Sequence, residues 1–195
     1  MIAVTLPLYV PSEERLITAF FQEGLELLHV RKPGIERECM RRWLEAIPAD
    51  FHSRLVLHQH HELAEAYGIQ RLHVPEYLRA EAGQVDLFPE YTYATSVHDI
   101  NTFNSLDEGY TYAFLSPVLE SISKPGYKSP VSLLDQVSLR VQQGIALVAL
   151  GGIHAGNLSD IDHKGFDDFA VSGGLWYASD PLQTLRELLA YPLNK

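Results

Sequence analysis

Short apolar, β-prone runs alternate along the chain with segments whose apolar residues recur every three or four positions. Residues 2–10 predict a first strand, and Pro11-Ser12 then opens a helix with Ser12 as its N-cap. Leu16, Ile17, Phe20 and Phe21 share one face of that helix, which predicts burial of the face. Gly24 ends the helix, and residues 25–30 predict strand two. Residues 37–46 predict a helix whose Trp43 covers the sheet, and residues 54–58 strand three. A short helix over 62–67 stops at Gly68, and 69–74 predict strand four. The poorly patterned stretch 75–89 leaves room only for a short fourth helix. Strands five to eight are predicted over 91–97, 110–115, 145–150 and 168–171.

Alternating strands and helices imply a parallel sheet. Its closure is suggested by the last two strands. Leu147-Val148-Ala149-Leu150 runs into Gly151-Gly152, and Phe169-Ala170-Val171 into Ser172-Gly173-Gly174, at the start of a helix. Glycines let a backbone approach a ligand and leave its N–H groups unobstructed. After strands seven and eight of a (β/α)8 barrel, such loops commonly hold phosphate. The other reading of these glycines is that they only make tight turns. The pattern predicts a compact (β/α)8 TIM barrel forming one domain over 1–195. The chain has 195 residues, against about 250 for a typical barrel, so shortened loops and a reduced fourth helix are expected.

Composition narrows the classes. One cysteine, Cys39, rules out an internal disulfide framework and Cys-based metal motifs. A formal net charge of −10 argues against a nucleic-acid partner, so an anion must be held by a local pocket. No long apolar segment points to a membrane, and a cytoplasmic protein is expected.

In a barrel, active groups lie at the C-terminal ends of strands. Strand two ends in His29, Arg31 and Lys32, and strand three in His58, Gln59, His60 and His61. Strand four offers His73 and Glu76, and strand five Ser96 and His98. After strand six come Ser116-Pro117, then Ser121, Ser123 and Lys124 in a loop with Gly126, Tyr127 and Lys128. Hydroxyls and lysines in that loop suit an anion, though a solvated polar loop would look the same.

In order and spacing, these strand ends resemble the thiamine phosphate synthase/TenI family over residues 27–176. Leu27-Leu28-His29-Val30-Arg31-Lys32 is similar to its Gln-x-Arg-x-Lys signature, and His58-Gln59-His60-His61-Glu62-Leu63-Ala64 to its Asn-Asp-x-x-(Asp/Glu)-Leu-Ala. Leu72-His73-Val74 resembles Gly-x-His-x-Gly, and Ser96-Val97-His98 matches Ser-x-His. Ser116-Pro117 with Ser121, Ser123 and Lys124 resembles Gly-Pro followed by Thr-x-Thr-Lys. Gly151-Gly152-Ile153 with Asn157, and Ala170-Val171-Ser172-Gly173, resemble the phosphate end.

The resemblance implies that thiazole phosphate is condensed with hydroxymethylpyrimidine diphosphate, commonly in a homodimer with Mg2+ and no organic cofactor. Arg31, Ser121, Ser123 and Lys124 would then bind the phosphates, and Ser96 the pyrimidine. Gly151, Gly152, Ser172 and Gly173 would cradle the thiazole phosphate, while His29 takes the place of the signature glutamine.

The chain departs from the family at several positions. The two Mg2+ aspartates fall on Gln59 and near Leu78, with Glu76 the nearest carboxylate, and His58 replaces the asparagine. The histidine that serves the TenI tautomerases after strand six is Pro117. Strand alternation predicts that His58 and His60 share one face, and Gln59 and His61 the other. Some imidazoles among His29, His58, His60, His73 and His98 are therefore expected to replace the carboxylates, in proton transfer or as ligands of a softer metal such as zinc. The bland alternative leaves His73 and His98 packed and hydrogen-bonded, and His60 or His61 a solvated loop residue. Three functions stay open: a synthase-like transferase, a tautomerase or related histidine-dependent enzyme on thiazole phosphate, and a non-catalytic thiazole-phosphate binder.

Overall fold

A computed structural model describes residues 1–81, 87–120 and 132–194. Eight parallel strands close into a barrel in sequence order: β1 (Ile2–Val4), β2 (Leu27–Val30), β3 (Leu55–Leu57), β4 (Arg71–Val74), β5 (Thr92–Val97), β6 (Tyr110–Leu115), β7 (Ala146–Leu150) and β8 (Asp168–Val171). β8 pairs with β1 through Ala170 opposite Ile2, which leaves no free edge. Around it run α1 (Glu13–Gln22), α2 (Arg37–Glu45), α3 (Glu76–Glu81), α4 (Ile100–Asn104), α5 (Leu133–Gln136), α6 (Gly173–Trp176) and α7 (Pro181–Ala190).

The reduced fourth helix is the six-residue α3. Trimming goes further than the pattern predicts. Two successive 3₁₀ turns, His61–Leu63 and Glu65–Tyr67, replace the helix expected over 62–67, and the 3₁₀ segment Ala155–Asp160 follows β7. β1 ends at Val4 rather than at residue 10, and beyond it Leu8 and Tyr9 lie exposed. An apolar run read as strand here turns out to be a loop, because apolarity alone does not supply a pairing partner. Ser12 occupies the N-cap position of α1, but with φ 62° and no side-chain cap bond.

Alternation decides which residues fill the barrel. Ile2, Val4, Ala94, Tyr112, Phe114, Val148 and Ala170 form an interior cluster, separate from the outer core between strands and helices. By the same period of two, His29 on β2 and His73 on β4 point inward and are fully buried. Barrel interiors are normally layers of Val, Ile and Leu. Imidazoles here must find hydrogen bonds or carry a desolvation cost.

Outside the barrel, α1 buries Ile17, Phe20 and Phe21. It is tied to its neighbours by a buried ion pair. Lys32 Nζ lies 2.7 Å from Glu13 Oε2 and donates to the Leu8 carbonyl at 2.9 Å, and Trp43 Nε1 donates to Glu13 Oε1 at 2.7 Å. Both charged side chains are almost fully shielded from water. Trp176 packs edge-on against Phe20 and donates Nε1 to the Val4 carbonyl. Among the described residues no helix is long and apolar enough to cross a membrane.

Removing one partner of a buried pair strands the other charge. Glu13→Ala is expected to cost about 3–5 kcal/mol, and Glu13→Leu with Lys32→Met much less. Urea unfolding of the single and double variants checks this; equal losses would contradict it.

Candidate functional site

His29, His58 and His73 converge at the C-terminal ends of β2, β3 and β4. His29 Nδ1 and His58 Nε2 share a 2.9 Å hydrogen bond, and His29 Nε2 shares a 2.6 Å bond with the Tyr112 hydroxyl from β6. The His58 and His73 rings stack with centroids 3.9 Å apart. Phe114 closes the group from the far side, 4.7 Å from His29 and 5.8 Å from His73 between centroids. His73 Nε2 meets Ser96 Oγ at 3.2 Å, while its buried Nδ1 has no partner. One candidate ligand nitrogen from each of the three rings lies within 4.8 Å of the others.

Burial sets the charge of this group. It pushes His73 down to about 3, with the charges of His61, Arg31 and Arg79 pushing the same way. Burial likewise holds His29 and His58 well below the usual histidine range, with His73 pushing both the same way and His29 and Arg31 adding to it at His58. The three rings are neutral at physiological pH, each with one N–H and one lone pair. Burial raises the Tyr112 phenol well above its usual value, so it stays a neutral hydroxyl.

The other predicted histidines are elsewhere. The strand geometry assumed for 58–61 stops at Leu57: His60 takes φ 54°, and its Nε2 bonds the Ile35 carbonyl. His61 folds back onto the Leu57 carbonyl, so the predicted alternation of faces fails after His58. His98 is exposed between the Ser116 carbonyl and Glu76. His29 is completely buried, facing His58 and Tyr112 rather than open solvent.

Arg31 reaches the mouth. It is exposed, its backbone is clamped by reciprocal bonds with Thr5 Oγ1, and no ion-pair partner is found among the described residues. Its charge acts on His58 and His73. Counted from His29, the lysine of Gln-x-Arg-x-Lys falls on Pro33, and Lys32 is turned inward onto Glu13. Ser121, Ser123 and Lys124 lie outside the described residues.

The glycine loops are built for close approach. Gly151 and Gly152 have φ 104° and 71°, and a Cβ on Gly152 would stand 2.4 Å from the Glu120 carbonyl oxygen. Asn157 bridges the loop, donating Nδ2 to the Gly152 carbonyl and accepting from His154 N–H. A Cβ on Gly174 would stand 2.3 Å from the Ile153 carbonyl oxygen, so loop packing by itself demands these glycines. Gly173 opens α6, and its N–H has no acceptor within that helix. Ser172 turns the chain with φ −129° and ψ −93° and gives its carbonyl to Leu175 and Trp176.

Mg2+ prefers hard oxygen ligands, and these residues do not fit it. Gln59 gives its Oε1 to the Lys32 N–H, and Glu76 pairs with Arg79 and His98. Among the described residues the grouping capable of holding a metal is the three imidazoles.

Sequence reasoning missed Tyr112 and Arg79. Tyr112 was legible as an inward position of β6. Arg79 lies in the unpatterned stretch, donating Nη2 to the Ser96 carbonyl while its buried Nη1 has no partner.

A family model described as thiamine monophosphate synthase (TMP-TENI) matches residues 7–175. The thiamine-phosphate synthase of Halorhodospira halophila is 26% identical over 199 residues, covering 96% of this chain and 91% of that protein. That of Chloroflexus aurantiacus is 28% identical over 96 residues, 49% of this chain. The chain spans less than half the length of two of the curated relatives it matches, 44% and 25%. The crystal structure of thiamine phosphate pyrophosphorylase from Bacteroides thetaiotaomicron superposes with a TM-score of 0.76 at 28% identity, covering 97% of this chain and 95% of that one.

The neutral histidines make stability depend on pH. Below about 6.5 the unfolded chain protonates these rings and the folded chain does not. Stability present above pH 6.5 is therefore lost as pH falls toward the folded value, about 3 for His73. Each ring contributes a slope of about 1.4 kcal/mol per pH unit. Urea unfolding of chelator-treated protein between about pH 7.5 and 5 should show this, with a shallower slope in His29→Gln; a flat wild-type profile would refute it.

Proposed function

Because the chain belongs to the thiamine monophosphate synthase family, we propose that it serves thiamine biosynthesis as a synthase-like transferase, joining thiazole phosphate to hydroxymethylpyrimidine diphosphate. The observation that carries this reading is the arrangement at the barrel mouth. Arg31 acts on the histidine cluster, Ser96 bonds it, and the loops of Gly152, Ser172 and Gly173 end strands on the same rim. In the reaction the bond from the pyrimidine methylene to diphosphate breaks, its electron pair leaving with diphosphate. The thiazole nitrogen then supplies the pair for the new C–N bond.

Arg31 binds the leaving diphosphate as its charge develops, together with Ser121, Ser123 and Lys124. Ser96 orients the pyrimidine. Main-chain N–H groups at Gly152 and Gly173 hold the thiazole phosphate. Both substrates are small molecules, and the homodimer implied by the resemblance and the cytoplasmic location expected from the sequence belong to the same proposal.

The neutral imidazoles favour a second reading, in which a histidine moves a proton on thiazole phosphate alone, as a tautomerase does. Mixing the protein with each half-molecule separates the readings. Pyrophosphate release only when both are present is the expected result, and Arg31→Ala should lower kcat/KM about a hundredfold. Turnover of the thiazole alone would replace the first reading by the second. A thermal shift with no turnover would leave a binder and overturn both.

A further inference from the structure

We propose that His29, His58 and His73 form a three-histidine site for a divalent transition metal, with zinc as the favoured ion. The proposal does not depend on which substrate the barrel takes. Three neutral imidazoles from adjacent strands already bring one candidate ligand nitrogen each to within 4.8 Å of the others. In a tetrahedral zinc site, with Zn–N about 2.0–2.1 Å, ligand nitrogens stand about 3.3 Å apart. The His29–His58 pair, at 2.9 Å, is slightly closer than that.

Two details of the surroundings match a metal site rather than a packed core. A ligating histidine commonly donates its other N–H to a fixed oxygen, which sets the tautomer and aims the lone pair. His29 has Tyr112 Oη on Nε2 and turns Nδ1 into the cluster. His73 has Ser96 Oγ on Nε2, and its Nδ1 is buried without any partner. A buried orphan nitrogen is rare in a native core. With Ser96 holding the Nε2 proton, that atom carries a bare lone pair.

Occupancy requires the His58 ring to turn off the face of His73. It is the least buried of the three, and its hydrogen bond is to the cluster itself. The proton now shared between His29 and His58 moves to the other nitrogen of its own ring, so three neutral ligands bind without net proton release. The ligand set is all nitrogen, which selects zinc, cobalt, nickel or copper over Mg2+. Three protein ligands leave a fourth position, and Arg31 beside the cluster favours an anionic oxygen there.

Cobalt(II) titration of chelator-treated protein, followed by visible absorption, tests the site. One equivalent should give saturable tetrahedral bands that Zn2+ abolishes, and Zn2+ alone should raise Tm. His58→Ala should lose the bands and the Tm shift while keeping the wild-type circular dichroism. Ser96→Ala, which keeps all three ligands, should weaken binding about tenfold or more. His60→Ala should leave binding intact. No saturable band at one equivalent, or unchanged binding in His58→Ala, would overturn the proposal.

Discussion

The hydrogen-bonded chain from Tyr112 through His29 to His58 is the constraint around which the top of this barrel is arranged. A polar ring inside a closed barrel cannot reach bulk water, so each of its nitrogens needs a protein partner or a ligand. Tyr112 satisfies His29 from below, and Phe114 and the ring of His73 wall it in at the sides. Small residues elsewhere in the interior, Ala94 and Ala170, leave room for these aromatic rings. The same burial that packs the rings keeps them uncharged. Packing and protonation state are thus one design choice, made by placing histidine at inward positions of β2 and β4.

A second constraint acts outside the sheet. The Glu13–Lys32 pair, with Trp43 on the free carboxylate oxygen, ties α1, α2 and the loop after β2 together. That loop carries Arg31. Lys32 is therefore committed to the scaffold while its neighbour is free to meet a ligand. Two adjacent basic residues have opposite roles because β2 ends at Val30 just before them and the chain turns, leaving Arg31 exposed and Lys32 buried.

The barrel was legible in the order of apolar runs, since eight strands at the expected places close in sequence order. Element ends were less so. Residues 5–10 read as strand because they are apolar, yet strand length is limited by pairing with β2 and β8, which periodicity cannot report. The convergence of His29, His58 and His73 was half legible. Strand-end position put them at one rim, but the exclusion of His60 depends on a left-handed turn that nothing in the local residue types signals. Arg79 was illegible for a related reason, because a short helix without periodicity hides which side chain reaches back to the rim.

Placing imidazoles rather than carboxylates at these strand ends sets the field at the mouth. Carboxylates beside Arg31 would neutralise it, whereas neutral rings leave its charge uncompensated among the described residues. The protein as a whole carries −10, so the long-range field repels anions and any anion has to be held by local positive charge. Physiological salt screens exposed charges beyond about 8 Å, so the local charge is the one an approaching anion meets. On the proposed reading, the exposed Arg31, the Ser96 hydroxyl and the unprotonated nitrogens of the rim would take an anion by contact rather than by steering. Under the proposed function, that is the electrostatic condition a small acidic barrel has to meet to hold phosphorylated substrates.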